Sequence, residues 1–125
     1  MKKKLLWLED DALLGQILGK SLQATEFELI HVKDGVEAVK VLKEIVPDVV
    51  MVDLLVPGEI DGFGVLVEMN LDPRLKNVPK IVLSNLSNQA DIDRARSLGA
   101  NTFIVKAASS IDLIITEVRN QMTGK

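Results

Sequence analysis

Short runs of valine, isoleucine and leucine alternate along this chain with stretches in which apolar residues return every three or four positions. The runs fall at Leu5–Leu8, Leu29–Val32, Val49–Val52, Ile81–Leu83 and Thr102–Val105. Three of them are apolar almost throughout, as strands covered on both faces should be. Between them, Leu14, Leu18 and Leu22 form a stripe at helical spacing, and Val36, Val39 and Leu42 form a second. Ile111, Ile114, Ile115 and Val118 give the last segment its own apolar face. The punctuation agrees. Asp34-Gly35 marks a turn before the second helix. Pro47 stops that helix, because the residue before a proline is pushed out of helical geometry. Asp72-Pro73 and Val78-Pro79 bracket a loop after the third helix. Gly99 stands where a helix would end, and Ser110 where the last one would be capped, with Asp112 favourably placed in its first turn.

Strand and helix thus alternate five times. This order predicts an α/β domain, a parallel sheet with helices on both faces. Right-handed crossovers then bring every strand C-terminus to one edge of the sheet, where sites of such folds lie. The residues at that edge are unusual. The first strand runs into Glu9, Asp10 and Asp11, the third into Asp53, the fourth into Ser84 and the fifth into Lys106. Like charges this close repel one another and resist desolvation, so something positive must offset them.

The chain has 125 residues, 47% of them hydrophobic, which suits a single domain spanning 1–125. Its 15 basic and 18 acidic residues leave a net charge of −3, so the basic field that would argue for nucleic acid is missing. The run Lys2-Lys3-Lys4 reads as a solvated terminus. No apolar stretch reaches the length of a membrane span and no signal peptide is recognised. Cysteine is absent, which excludes thiol chemistry and fits a reducing cytoplasm.

Carboxylate oxygens are hard ligands suited to Mg2+, which keeps several waters and bridges to phosphate oxygens. A metal at Asp10 and Asp53 would offset the crowded acids. Asp53 could then attack an electrophilic phosphorus to give an acyl phosphate, with Lys106 neutralising charge on the phosphoryl oxygens and Ser84 donating a hydrogen bond to one of them.

With these residues in view, the sequence resembles the receiver domains of two-component response regulators over nearly its whole length. The matching pieces are "LEDD", "MVDLLVPGEIDGFGVL" around Asp53, "IVLSN" and "FIVK", with Pro57 and Asp61-Gly62 at the expected distance from Asp53. The resemblance implies a doubly wound, flavodoxin-like (βα)5 sandwich with strand order 2-1-3-4-5. It implies phosphotransfer to Asp53 from a histidine kinase or a histidine phosphotransfer protein, assisted by the domain itself and dependent on Mg2+, with Mn2+ an alternative. Asp10 and Asp53 would ligate the metal directly, Leu55 through its backbone carbonyl and Glu9 through water. Ser84 and Phe103 would form the switch, acting on a protein-binding or homodimer face made by the fourth helix, fifth strand and fifth helix. Leu55 and Leu86 would flank the phosphoryl group and set its lifetime. The domain would be cytoplasmic, either standing alone or part of a larger regulator with an effector.

There are departures from the pattern. Ala107 replaces the usual proline after Lys106, where a cis bond without proline costs about 2.5–4 kcal/mol. Asn85 stands in place of a smaller residue, where it could narrow access to Asp53. Asn101-Thr102 replaces an acidic pair common in the winged-helix branch.

Taken singly, the same residues have plainer readings. Asp11 starts a helix, Ser84 ends a strand, Lys106 is a surface lysine and Phe103 is core. His31 reads as structural or surface, since one histidine makes no metal cluster, and Trp7 as a buried packing residue. Among other functions, a metal-dependent phosphohydrolase would want an acid two residues after Asp53, where Leu55 stands. A flavin or nucleotide binder would want a phosphate cradle where Glu9-Asp10-Asp11 would repel one. A receiver-like module that binds proteins without phosphorylation is the remaining alternative.

Overall fold

The computed structural model describes residues 2–123. Each apolar run forms a strand: β1 (Lys4–Leu8), β2 (Glu28–Val32), β3 (Val49–Val52), β4 (Lys80–Ser84) and β5 (Thr102–Val105). The helices are α1 (Ala12–Gln23), α2 (Gly35–Glu44), α3 (Gly62–Leu71), α4 (Gln89–Ser97) and α5 (Ile111–Met122). A single 3-10 turn, Lys106–Ala108, follows β5. The strands are all parallel, in the order β2-β1-β3-β4-β5.

Alternate side chains of a strand leave opposite faces, so the sheet divides the core in two. Leu5, Trp7, Val49, Met51, Ile81 and Leu83 pack with Leu18 and Leu22 of α1 and with Ile114 and Val118 of α5. Leu6, Leu8, Val50, Val52 and Val82 pack on the other face with Ala38 and Leu42 of α2, Leu66 of α3 and Ala95 of α4. The stripes expected on α1 and α5 bury as read, with Leu14, Ile111 and Ile115 half-covered. The α2 stripe meets the core at Val39 and Leu42 as read, but not at Val36. Val36 is exposed, and Gly35, Ala38 and Leu42 face the sheet. A Cβ on Gly35 would lie 2.0 Å from the carbonyl oxygen of Ile60, so the bare backbone of Gly35 faces inward and carries Val36 outward.

Every helix opens on a side chain that accepts the amide three residues on: Asp11 from Leu14, Asp34 from Glu37, Asp61 from Gly64, Asn88 from Asp91 and Ser110 from Leu113. Each such cap is worth about 1 kcal/mol. Gly99, at φ +96°, follows the end of α4 in a conformation that other residues adopt only with strain. α4 is the least anchored helix, burying only Ala95, while its Arg94 guanidinium lies 4.1 Å over the Phe63 ring of α3. At the far end of β4 the buried Lys80 ammonium donates to the carbonyls of Lys76 and Val78, and burial lowers its pKa.

Candidate functional site

The strand ends converge because the ladder continues past them. The amide of Glu9 donates to Val32 and that of Asp53 to Leu8, each at 3.0 Å. Both side chains are thereby held at the C-terminal edge, Glu9 fully buried and Asp53 nearly so, while Asp10 beside them is exposed.

Lys106 closes the pocket. Its Nζ lies 2.6 Å from Asp53 Oδ2 and 2.8 Å from both oxygens of Glu9. This ammonium is the positive charge that the crowded acids require. Asp53 Oδ1 accepts from Ser84 Oγ at 2.8 Å and from the Leu55 amide at 3.1 Å. Glu9 Oε2 also accepts from the Asp11 amide at 3.2 Å. The electrostatics follow from burial. Loss of water pushes the Glu9 carboxyl above its usual range, opposed by the Lys106 contact and reinforced by the nearby Asp53. Burial pulls Lys106 down, but its bonds to Asp53 and Glu9 together outweigh this and leave its pKa raised.

The donor set suits a hard divalent cation. Glu9, Asp10 and Asp53 each bring one oxygen to within 4.8 Å of one another. Glu9 Oε1 is buried and has the Lys106 ammonium 2.8 Å away as an ion pair but no hydrogen-bond donor of its own. It therefore keeps a lone pair for a water or an ion, and the exposed Asp10 leaves one side of the pocket open. A few carboxylates with an open side fit Mg2+ or Mn2+ better than a caged ion.

Asp61-Gly62 has a local reason. A Cβ on Gly62 would lie 2.2 Å from the Asp53 carbonyl oxygen, so glycine lets α3 begin directly against the end of β3. The other site residues sit at varying distance from the acids. Leu55 is 59% exposed beside Asp53. Leu86 is half-buried against the α2–α3 side of the core, and Phe103 packs against the same layer. Asn85 is exposed, and its Oδ1 accepts from the Ala107 amide at 3.1 Å, tying the loop after β4 to the loop after β5. Among the described residues no peptide bond is cis, so the Lys106-Ala107 bond is trans.

Sequence reasoning read His31 as a structural or surface residue and missed its contact with the pocket. Its Nε2 lies 2.9 Å from the Glu9 carbonyl oxygen, and its ring stacks on Trp7 with centroids 4.6 Å apart. The only signal was that Trp7 and His31 become neighbours once β1 and β2 pair in this register.

A doubly wound α/β sheet with a lysine-closed carboxylate pocket at its C-terminal edge defines the class: an α/β domain whose site has the donors suited to phosphoryl groups. The chain belongs to the response regulator receiver domain family, whose model matches residues 5–119. It is 35% identical over 112 residues to a probable transcriptional regulator, ycf27, of Porphyridium aerugineum, covering 90% of this chain and 45% of that protein. The chain thus spans less than half the length of such regulators. Among solved structures it resembles the signal receiver domain of a histidine kinase from Syntrophus aciditrophicus. That match has 30% identity and a TM-score of 0.86, and covers 98% of this chain and 91% of the other. The phosphorylated cyanobacterial phytochrome response regulator RcpA matches at 29% identity and TM-score 0.82, covering 96% and 91%. The Mn2+-bound response regulator Rcp1 matches at 28% and 0.80, covering 91% and 88%. Receiver domains are signalling domains. No helix among the described residues is long and apolar enough to cross a membrane.

Proposed function

We propose that this domain accepts a phosphoryl group on Asp53 from the phosphohistidine of a histidine kinase or phosphotransfer protein. A carboxylate oxygen of Asp53 forms the new bond to phosphorus. The phosphorus–nitrogen bond breaks, and the imidazole of the donor keeps the electron pair. Lys106 and the Ser84 hydroxyl already hold Asp53 in place, so the donors that would stabilise the phosphoryl oxygens need little rearrangement. Asp10, Asp53, the Leu55 carbonyl and, through water, Glu9 would hold Mg2+ or Mn2+. When bound, that ion would neutralise charge developing on the phosphoryl oxygens. The carrying observation is the simultaneous contact of Lys106 with Asp53 and Glu9.

In this reading the domain assists its own phosphorylation and dephosphorylation in the cytoplasm. It would pass the signal to an effector, either a separate protein or a further part of a longer chain, through the α4-β5-α5 face or a homodimer formed there. Ser84 is the link: to reach a phosphoryl oxygen it must leave Asp53 Oδ1, vacating room into which Phe103 turns. The expected result with acetyl phosphate and Mg2+ is an intact mass increased by one phosphoryl group, absent in Asp53→Asn and strongly reduced in Asp10→Asn. An unmodified parent would favour the phosphorylation-independent module instead.

A further inference from the structure

His31 meets the acidic pocket from behind. The ladder between β1 and β2 ends with the Glu9 amide donating to Val32, and the chain then turns away, the Lys33 amide donating to Glu37 Oε1 at 3.1 Å. The Glu9 carbonyl is left at the end of the ladder, one peptide before Asp10. The side chain of His31 reaches it with Nε2 at 2.9 Å. A carbonyl oxygen only accepts, so Nε2 carries the proton and donates. The ring has little freedom. Trp7 stacks on it at 20° between planes, and a Cβ on Gly15 of α1 would come within 3.1 Å of its Cε1.

We infer that His31 is a positioning residue for the acidic pocket. By holding the Glu9 carbonyl it fixes the Glu9–Asp10 peptide plane, and so the direction in which Asp10 leaves the strand. A peptide unit is rigid, so orienting its oxygen orients both flanking Cα atoms. The Glu9 amide is already held by Val32, and its carboxylate by Lys106. The Asp11 amide is tied to Glu9 Oε2, and His31 adds the restraint on the peptide that joins the two acids. Partners that orient ligating groups in this way tune metal affinity without touching the ion.

The inference rests on the acidic pocket taking Mg2+, so the test reads both. Amide shifts of Asp10, Asp11 and Asp53 are followed through an Mg2+ titration, with urea melts in metal-free buffer run on the same proteins. His31→Phe keeps a ring against Trp7 but has no donor, and its Mg2+ midpoint should rise about tenfold. His31→Gln offers an N–H at similar reach and should titrate close to the parent. If His31→Phe folds poorly, His31→Leu serves as the donor-free variant. A donor-free variant with the parent's midpoint, or one displaced no further than His31→Gln, overturns the role of His31. A parent whose amides do not respond to Mg2+ overturns the metal reading of the pocket, and this inference with it.

Discussion

The residue that most changes the picture is Lys106. Three adjoining acids read as a source of repulsion, yet the structure places an ammonium between Glu9 and Asp53. Removing it should therefore cost more than removing an acid. Lys106→Met leaves two buried carboxylates without their partner and should destabilise the domain by about 2–4 kcal/mol at neutral pH. The pH dependence has a definite sign. The folded Glu9 pKa lies above the usual carboxylate range, so the fold disfavours the ionised carboxyl, and losing the Lys106 contact that lowers it makes this penalty larger in the variant. Acidification through the raised pKa protonates Glu9 and removes the penalty, which gains the variant more than the parent. Urea melts at neutral and acid pH should show the gap between variant and parent narrowing as pH falls, and a gap that widens would contradict the account. The two leucines divide differently. Leu55 is exposed beside Asp53, whereas Leu86 is partly packed into the core. If Asp53 carries the phosphoryl group as proposed, neither side chain would orient a hydrolytic water, and hydrolysis should be slower by roughly ten- to a hundredfold. Leu55→Asn alone should therefore recover most of the faster decay of the phosphorylated domain. Leu86→Glu should add little rate and cost stability. Decay of the phosphorylated proteins in Mg2+ buffer, measured for both variants, separates the contributions.

At the scale of elements, the helices differ in how firmly they are held. α5 buries Ile114, Val118 and Met122, whereas α4 buries only Ala95 and leans on α3 through Arg94 and Phe63. A cation over an aromatic face contributes about 0.5–1 kcal/mol where partly exposed. Hydrogen exchange should find the α4 amides the least protected of the five helices. Arg94→Ala should speed their exchange by about two- to fivefold while leaving α5 unchanged. Equal acceleration in both helices would mean that the contact stabilises the whole domain rather than this element. The caps were only partly legible. Ser110 and the Asp34 turn stand out in the sequence, and Asp11 was read as a helix start. That Asp61 and Asn88 also cap became visible only when the helix starts were known. On α2 only Val36 was misjudged, for a physical reason. Periodicity gives the spacing of an apolar stripe, but the close approach of Gly35 to Ile60 sets its phase.

Across the whole molecule, the proposed function requires phosphorylation at one edge to be felt at the α4-β5-α5 face. A ligand moves a conformational equilibrium only by binding the two states unequally. Here the inequality would arise at Ser84, now bonded to Asp53 Oδ1 and unable to donate to a phosphoryl oxygen at the same time. The weak anchoring of α4 makes that face the least costly place for the change to appear. In a beryllofluoride complex Ser84 should have moved toward the fluoride and Phe103 should be more buried than in the free domain. Both side chains unmoved would disprove the coupling.

The sequence alone determined the five strands, the alternation that makes them parallel, and the identity of Glu9, Asp10, Asp53, Ser84 and Lys106 as strand-end residues. It could do so because apolar period and turn chemistry are local, and a right-handed crossover leaves one edge for all the strand ends. Strand boundaries were read to within a residue for the same reason. Only the tertiary structure decided which charges meet. It set Lys106 against Glu9 and Asp53, Asn85 against the Lys106 loop, and His31 behind the Glu9 carbonyl. Those contacts span 22 to 97 positions along the chain. They depend on register and rotamer, which a one-dimensional pattern of hydrophobic and polar residues does not encode.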